Sequence, residues 1–189
     1  MSRARLWPVM FYLLAMNALA TAPHEVAEAL SVRLTTPLTE GEFQQWKTVQ
    51  GLPLALESSG EFAVQDQQLH WRTLKPFASE TRFTTEAIEQ WSGGQRVWSL
   101  SRTEQPVVAV VSELMRALVR GDVTALLAHF AVTDLALDGD CWRLDLKVRD
   151  VALQQAITRV GAEGCERVQQ LIVEETNANS TRIRLVPLP

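Results

Sequence analysis

Leu54-Ala55-Leu56-Glu57, Gly60-Glu61-Phe62-Ala63-Val64-Gln65 and Leu69-His70-Trp71-Arg72 follow closely on one another and alternate apolar with polar side chains. A two-residue period puts Leu54 with Leu56, Phe62 with Val64, and Leu69 with Trp71 on single faces of extended segments. The breaks between them hold Ser, Gly, Asp and Gln. The pattern runs back to Phe43-Gln44-Gln45-Trp46-Lys47 and forward past Lys75-Pro76 and Phe83. It ends in a hairpin, Ile88–Trp91 and Arg96–Leu100 around Ser92-Gly93-Gly94-Gln95. This spacing predicts an antiparallel meander with one apolar and one wetted face. The apolar face sets the register, since a slip of one residue would turn the tryptophans into water. Such a face needs a cover, and we expect helices over part of it and a lipid over the rest.

Further along the chain, Pro106 opens the clearest helix. Val107, Val111, Leu114 and Leu118 form one stripe, widened by Met115 and Val119, and Gly121 stops it. Asp122 caps a short second helix through about His129 that turns Leu126, Leu127 and Phe130 inward. Strands resume with Leu135-Ala136-Leu137, the tight-turn pair Asp138-Gly139, and Cys141–Arg149, where Trp142, Leu144, Leu146 and Val148 share a face. A helix capped by Asp150 is expected through Val160, with Leu153, Ile157 and Val160 inward and Gly161 as its stop. A closing hairpin follows, Arg167–Glu175 and Thr181–Val186 about Asn177-Ala178-Asn179. Before the meander, Val26, Ala27, Leu30 and Leu34 give the segment from His24 to Leu34 one helical face, ended by Pro37. The fold class is therefore α+β, mainly antiparallel β.

At the N-terminus, Arg3 and Arg5 precede an apolar run from Leu6 to Ala15 and the small-residue sites Ala18-Leu19-Ala20 and Ala20-Thr21-Ala22. That order is expected of a cleaved signal peptide over residues 1–22, cut after Ala20 or Ala22. The run is too short, and too broken by Pro8 and Asn17, for the ~20 apolar residues that span a bilayer. Residues 23–189 then form one exported domain. Cleavage removes two arginines and no acid, so the formal net charge of −4 becomes more negative. Nothing basic remains to grip nucleic-acid phosphates. Cys141 and Cys165 sit in a chain bound for a disulfide-permitting compartment. A structural bridge between them, closing a loop worth about 3.5 kcal/mol of chain entropy, is preferred to free thiols, a metal site or a redox pair, because no C-x-x-C or Cys/His cluster is present.

Chemistry is hard to find. His24, His70 and His129 lie in no metal spacing, and no G-x-S-x-G elbow or phosphate-cradling loop occurs. Glu174-Glu175 and Asp138-Gly139-Asp140 read as a hairpin and its solvated flank, and Gly93-Gly94 as a turn. The one enzymatic alternative is a hydrolase built from dispersed residues such as His70 with Asp66 or Glu80. No catalytic residue, cofactor or metal is expected.

The order of motifs also resembles a known family. Phe43-x-Gln45 at the start of the sheet, the P-L-x-x-x-S-x-G run from Pro53 to Gly60, Leu69-His70-Trp71 with Pro76 beyond, Leu118-Val119-Arg120-Gly121-Asp122 and Ile172-Val173-Glu174-Glu175 resemble the LolA-type outer-membrane lipoprotein carriers and their relatives. The resemblance spans nearly the whole exported chain. It implies an incomplete antiparallel barrel with helices as a lid, and a hydrophobic concavity for acyl chains. It further implies a periplasmic protein working between an inner-membrane exporter and an outer-membrane acceptor. We expect a monomer whose partner is an acyl chain. The expected lining is Phe43, Leu54, Leu56, Phe62, Val64, Leu69, Trp71, Phe83, Trp91, Trp98, Leu114, Leu118, Trp142, Leu144 and Leu146. One departure stands out: typical carriers place an Arg-Pro pair shortly before the aromatic of the third strand, and here Gln67-Gln68-Leu69 occupies that place. That arginine helps hold the lid in the family. Cargo of another kind, an acylated pigment or glycolipid, and an envelope sensor or assembly factor of the same fold stay open as alternatives.

Overall fold

A computed structural model describes residues 23–105 and 107–188. The export segment expected over residues 1–22 lies outside the described residues, as does Pro106. Eleven strands form one sheet in which every neighbouring pair is antiparallel. The meander supplies β1 (Glu40–Thr48), β2 (Leu56–Gln65), β3 (Gln68–Lys75), β4 (Ser79–Phe83), β5 (Ala87–Ser92) and β6 (Gln95–Ser101). After helices α2 (Val107–Arg120) and α3 (Val123–His129) come β7 (Phe130–Asp138), β8 (Cys141–Val148), the single turn α4 (Val151–Gln154), β9 (Ile157–Gly164), β10 (Val168–Glu175) and β11 (Ser180–Pro187). Helix α1 (Pro23–Ser31) precedes them all.

The spatial order is β6-β5-β4-β3-β2-β1-β11-β10-β9-β8-β7, so the last strand zips against the first and the barrel stays open between β6 and β7. The α2–α3 pair crosses from one free edge to the other. One continuous core joins α1, α2 and α3 to the inner faces of both halves of the sheet, from Phe62 and Leu69 to Trp142, Leu146, Val160 and Leu171. No helix among the described residues is long and apolar enough to cross a membrane. The architecture is the expected one: an incomplete antiparallel barrel with a helical cover.

Local chemistry accounts for the elements. Asp122 caps α3 by accepting the Ala125 amide at 3.0 Å. Gly121 has φ +70°, the left-handed conformation that ends α2 without a Cβ penalty. Gly60 is required for a different reason: a Cβ there would lie 1.9 Å from the Arg72 carbonyl oxygen, where the β2–β3 ladder slips by one residue. Cys141 and Cys165 are disulfide-bonded, tying the start of β8 to the β9–β10 turn.

The helix expected from Asp150 to Val160 is a correction. Only Val151–Gln154 is helical, and Ile157–Gly164 is a central strand between β8 and β10. The i, i+4, i+7 spacing of Leu153, Ile157 and Val160 satisfied a helix, but Val160, Ala162 and Gly164 satisfy a strand face equally well. Two open ladders decide the matter, since they pair β9 with Leu144 and Leu146 on one side and Leu171 and Val173 on the other. Gly161 lies inside the strand, its α-carbon close to Ile172 and Asp145.

Candidate lipid-binding face

The covered face is centred on three stacked rings. Register places Phe43 opposite Gly60 and Phe62 opposite Trp71. Because Gly41 lacks a side chain, the Phe62 ring folds over it and would be 2.9 Å from a Cβ placed there. Trp71 then lies between the two, with ring centroids 4.0 Å from Phe43 and 5.7 Å from Phe62, both pairs stacked. Such pairs add about 1 kcal/mol each beyond the area they bury. Neighbouring rows continue the apolar surface through Leu69 and Phe83, and, across the seam, through Leu144, Leu146 and Trp142.

Of the expected lining, Phe43, Phe62, Leu69, Trp71, Leu114, Trp142, Leu144 and Leu146 are buried together, and Val64 and Phe83 pack at the margin of the same cluster. Leu118 lies on α2, outside the residues whose side chains are described. The other four are not gathered there. Leu54 sits in the β1–β2 turn and Leu56 at the first residue of β2, both exposed. Trp98 faces the covered side, opposite Gln90, but on the edge strand beyond the helices, where it is exposed.

Trp91 is a correction, because it stands on the opposite face. Glu89 and Trp91, two apart in β5, share the wetted face, and the register shift between Gln90 and Trp91 is taken up in β6, where Trp98 lies opposite Gln90 and Arg96 opposite Trp91. Trp91 lies opposite Glu80, donates its Nε1–H to Glu89 at 3.1 Å, and has the Arg82 guanidinium 4.4 Å from its ring centroid.

The cover fits tightly. Val108, Leu114, Ala117 and Val119 of α2 are buried, and the void left between α1, α2, α3 and the Trp142–Leu144 surface is only about 10 Å³. A larger hollow, about 630 Å³, is elsewhere: an open cleft beside the disulfide, bordered by Asp140, Glu166, Arg167 and Arg184 as well as Leu185, Val186 and Pro187. Its charged, open border sets it apart from the aromatic face, so size does not select the site. Access to the aromatic face from solvent requires the cover to move.

Two features bear on that movement. Ser112, on the buried side of α2, is fully enclosed, and its hydroxyl has no hydrogen-bond partner among the described residues. An unsatisfied buried hydroxyl costs about 1–3 kcal/mol, a penalty that disappears when α2 lifts into water. Arg116, also on α2, donates from Nη1 to the Gln67 carbonyl oxygen at 3.3 Å. Gln67 and Asp66 both adopt positive φ in the two-residue β2–β3 turn, which aims that carbonyl at the helix. Sequence spacing gives no sign of a contact between residues so far apart.

On the wetted face, His70, Glu80 and Arg82 form one ionic cluster. Arg82 Nε donates to Glu80 at 2.7 Å and His70 Nδ1 lies 2.8 Å from the same oxygen. The Arg82 hydrogen bond, assisted by His70 against the opposing effect of burial, holds the Glu80 carboxyl down at about 2. Glu80 is thereby kept ionised and engaged, a poor proton acceptor at neutral pH.

No family model matches the chain, and no curated protein matches it in sequence. Solved structures are similar in fold. The LolA superfamily protein NE2245 from Nitrosomonas europaea is 10% identical over 90% of this chain and 96% of its own, with a TM-score of 0.44. Lipoprotein LppX from Mycobacterium tuberculosis is 14% identical over 87% and 96%, at 0.44, and LprF from Mycobacterium bovis is 12% identical over 88% and 92%, at 0.36.

Proposed function

We propose that the protein is a periplasmic carrier that takes an acyl chain, borne by a lipoprotein or another lipid, onto the Phe43–Trp71–Phe62 face and moves it from the inner towards the outer membrane. It has no catalytic step in this reading. The observation that supports it is an aromatic face closed by an amphipathic helix pair with a built-in flaw, the orphan hydroxyl of Ser112. A helix meant only to complete a core has no use for such a residue.

The energetics suit exchange. Lifting α2 exposes Val108, Leu114, Ala117 and Val119 and the rings beneath them, at roughly 1.5–3 kcal/mol for each large side chain. Burying a dozen methylenes returns roughly 10 kcal/mol at ~0.8 kcal/mol each. The two are close, so cargo replaces the lid with little net change and is released when a comparable apolar site accepts it. The lid recloses on the empty face.

The test uses delipidated protein and a soluble fatty acid. Titration is expected to shift tryptophan emission as Trp71 trades the α2 side chains for hydrocarbon, and mass spectrometry of extracted, freshly purified protein is expected to find copurified lipid. A protein that neither takes up acyl chains nor changes its emission would overturn the proposal.

A further inference from the structure

We infer that the turn-bearing end of strands β1–β6 is a docking surface for a phospholipid bilayer. In an up-and-down sheet the β1–β2, β3–β4 and β5–β6 connections leave the same end, and the register confirms it, with Lys47 opposite Leu56, Ser59 opposite Lys75, and Glu80 opposite Trp91. Exposed large apolar side chains concentrate at that end: Leu52 and Leu54 in the first turn, Phe77 in the second, and Leu56, Leu74 and Trp98 in the flanking strands. Phe77 is 82% exposed and Leu54 79%, values at which a soluble surface gains nothing from them.

Charge separates this end from its opposite. The three turns, Val49-Gln50-Gly51-Leu52-Pro53-Leu54-Ala55, Pro76-Phe77-Ala78 and Gly93-Gly94, hold no charged residue. The connections at the far end hold five acids, Asp66, Glu86, Glu104, Asp140 and Glu166, against two bases, Arg102 and Arg167, and Asp138 closes β7 beside them. An anionic membrane repels that acidic end and accepts the neutral one, which orients the approach. Lys75, with no ion pair among the described residues, stands next to the Pro76-Phe77 turn, where its ammonium can reach lipid phosphates while Phe77 enters the acyl boundary. Leu54 and Phe77 on separate exposed turns suit a fluid interface, which needs no shaped groove to receive them. A protein partner would offer rigid pockets to a continuous patch, so the bilayer is the occupant these observations favour.

The experiment is flotation of the protein with vesicles of phosphatidylethanolamine and phosphatidylglycerol, free of other proteins. Cofloating of the wild-type protein is expected, with Leu54→Ser/Phe77→Ser binding about tenfold or more weaker, since each exposed side chain loses its transfer gain. Lys75→Glu is expected to weaken binding to these vesicles more than to phosphatidylcholine vesicles, and salt to narrow that difference. Both variants lie at exposed positions, so unchanged thermal unfolding serves as the folding control. Failure of the wild-type protein to bind vesicles, or undiminished binding by the double variant, overturns the inference. Uptake of a soluble fatty acid, followed by tryptophan emission, reports on the aromatic face separately. A protein that takes up acyl chains yet ignores vesicles would refute the docking surface alone.

Discussion

Replacing Ser112 with alanine should make the protein more stable and its cargo binding weaker. In the closed form the hydroxyl is fully buried with nothing to bond to, so its removal relieves about 1.5 kcal/mol of uncompensated desolvation. Alanine also favours the helix over serine by about 0.5 kcal/mol. The void left by one oxygen is small and takes back only a fraction of this. Net stabilisation should be about 2 kcal/mol, which raises the melting temperature by about 4–8 °C for a chain of this size. The two parts behave differently on opening. If α2 stays helical when it lifts, the propensity gain is common to both states and cancels, while the 1.5 kcal/mol of desolvation belongs to the closed state alone. Opening therefore becomes about tenfold less favourable, and the apparent Kd for a fatty acid should rise by the same factor. Thermal unfolding by circular dichroism and a titration followed by tryptophan emission give the two numbers on one sample. A variant that is more stable yet binds fatty acid as tightly as the wild type would show that binding does not require the helix to leave the sheet. The account of the lid would then fail.

Other substitutions probe the remaining links. Trp71→Ala, which removes the middle ring of the stack, should cost about 3–5 kcal/mol in urea unfolding and should abolish most of the emission change on fatty-acid addition; loss of stability with full uptake would make Trp71 a core residue only. Arg116→Ala removes the contact with the Gln67 carbonyl, an exposed hydrogen bond, and should shift stability by about 1 kcal/mol or less while speeding acyl uptake in stopped-flow mixing. Reduction of Cys141–Cys165 should lower stability by about 3 kcal/mol, read as a lower denaturation midpoint, without changing fatty-acid affinity. For Glu80, the folded carboxyl is held at about 2 by Arg82 first, against an ordinary value of 4.5. Its stabilising contribution is thus present above pH 4.5 and lost as the pH falls towards 2. Glu80→Gln should be less stable by roughly 2 kcal/mol at neutral pH, and that gap should close on acidification.

The chain states some of this plainly and conceals the rest for identifiable reasons. Phe62, Leu69 and Trp71 could be assigned to one face because alternation in a strand is local, and the same holds for Trp142, Leu144 and Leu146 in β8. The α2 helix announces itself through its stripe and through Gly121. Strand β9 does not, because five or six residues of mixed spacing satisfy either period, and only the two waiting ladders choose between them. Trp91 misleads for another reason: plain alternation sets it with Glu89 and away from Ile88, but a large aromatic ring suggests the covered face until its Glu89 and Arg82 partners are seen. Contacts that join distant segments, such as Arg116 with Gln67, are invisible until the sheet curls to bring them together.

The features that sequence hides are also those that bear on the proposed carriage. A core of apolar residues would form whether or not the helices were meant to move, since burial alone rewards it. What distinguishes a lid from a core helix is a defect placed where closure is made, and a fastening weak enough to break. Ser112 is the first and the Arg116–Gln67 hydrogen bond is the second. The hydrogen bond holds the covered state only weakly, and the orphan hydroxyl opposes it. Both act only on the balance between covered and uncovered states of the same aromatic face, and that balance is the property a carrier must hold near zero if it is to take up its cargo and also let it go.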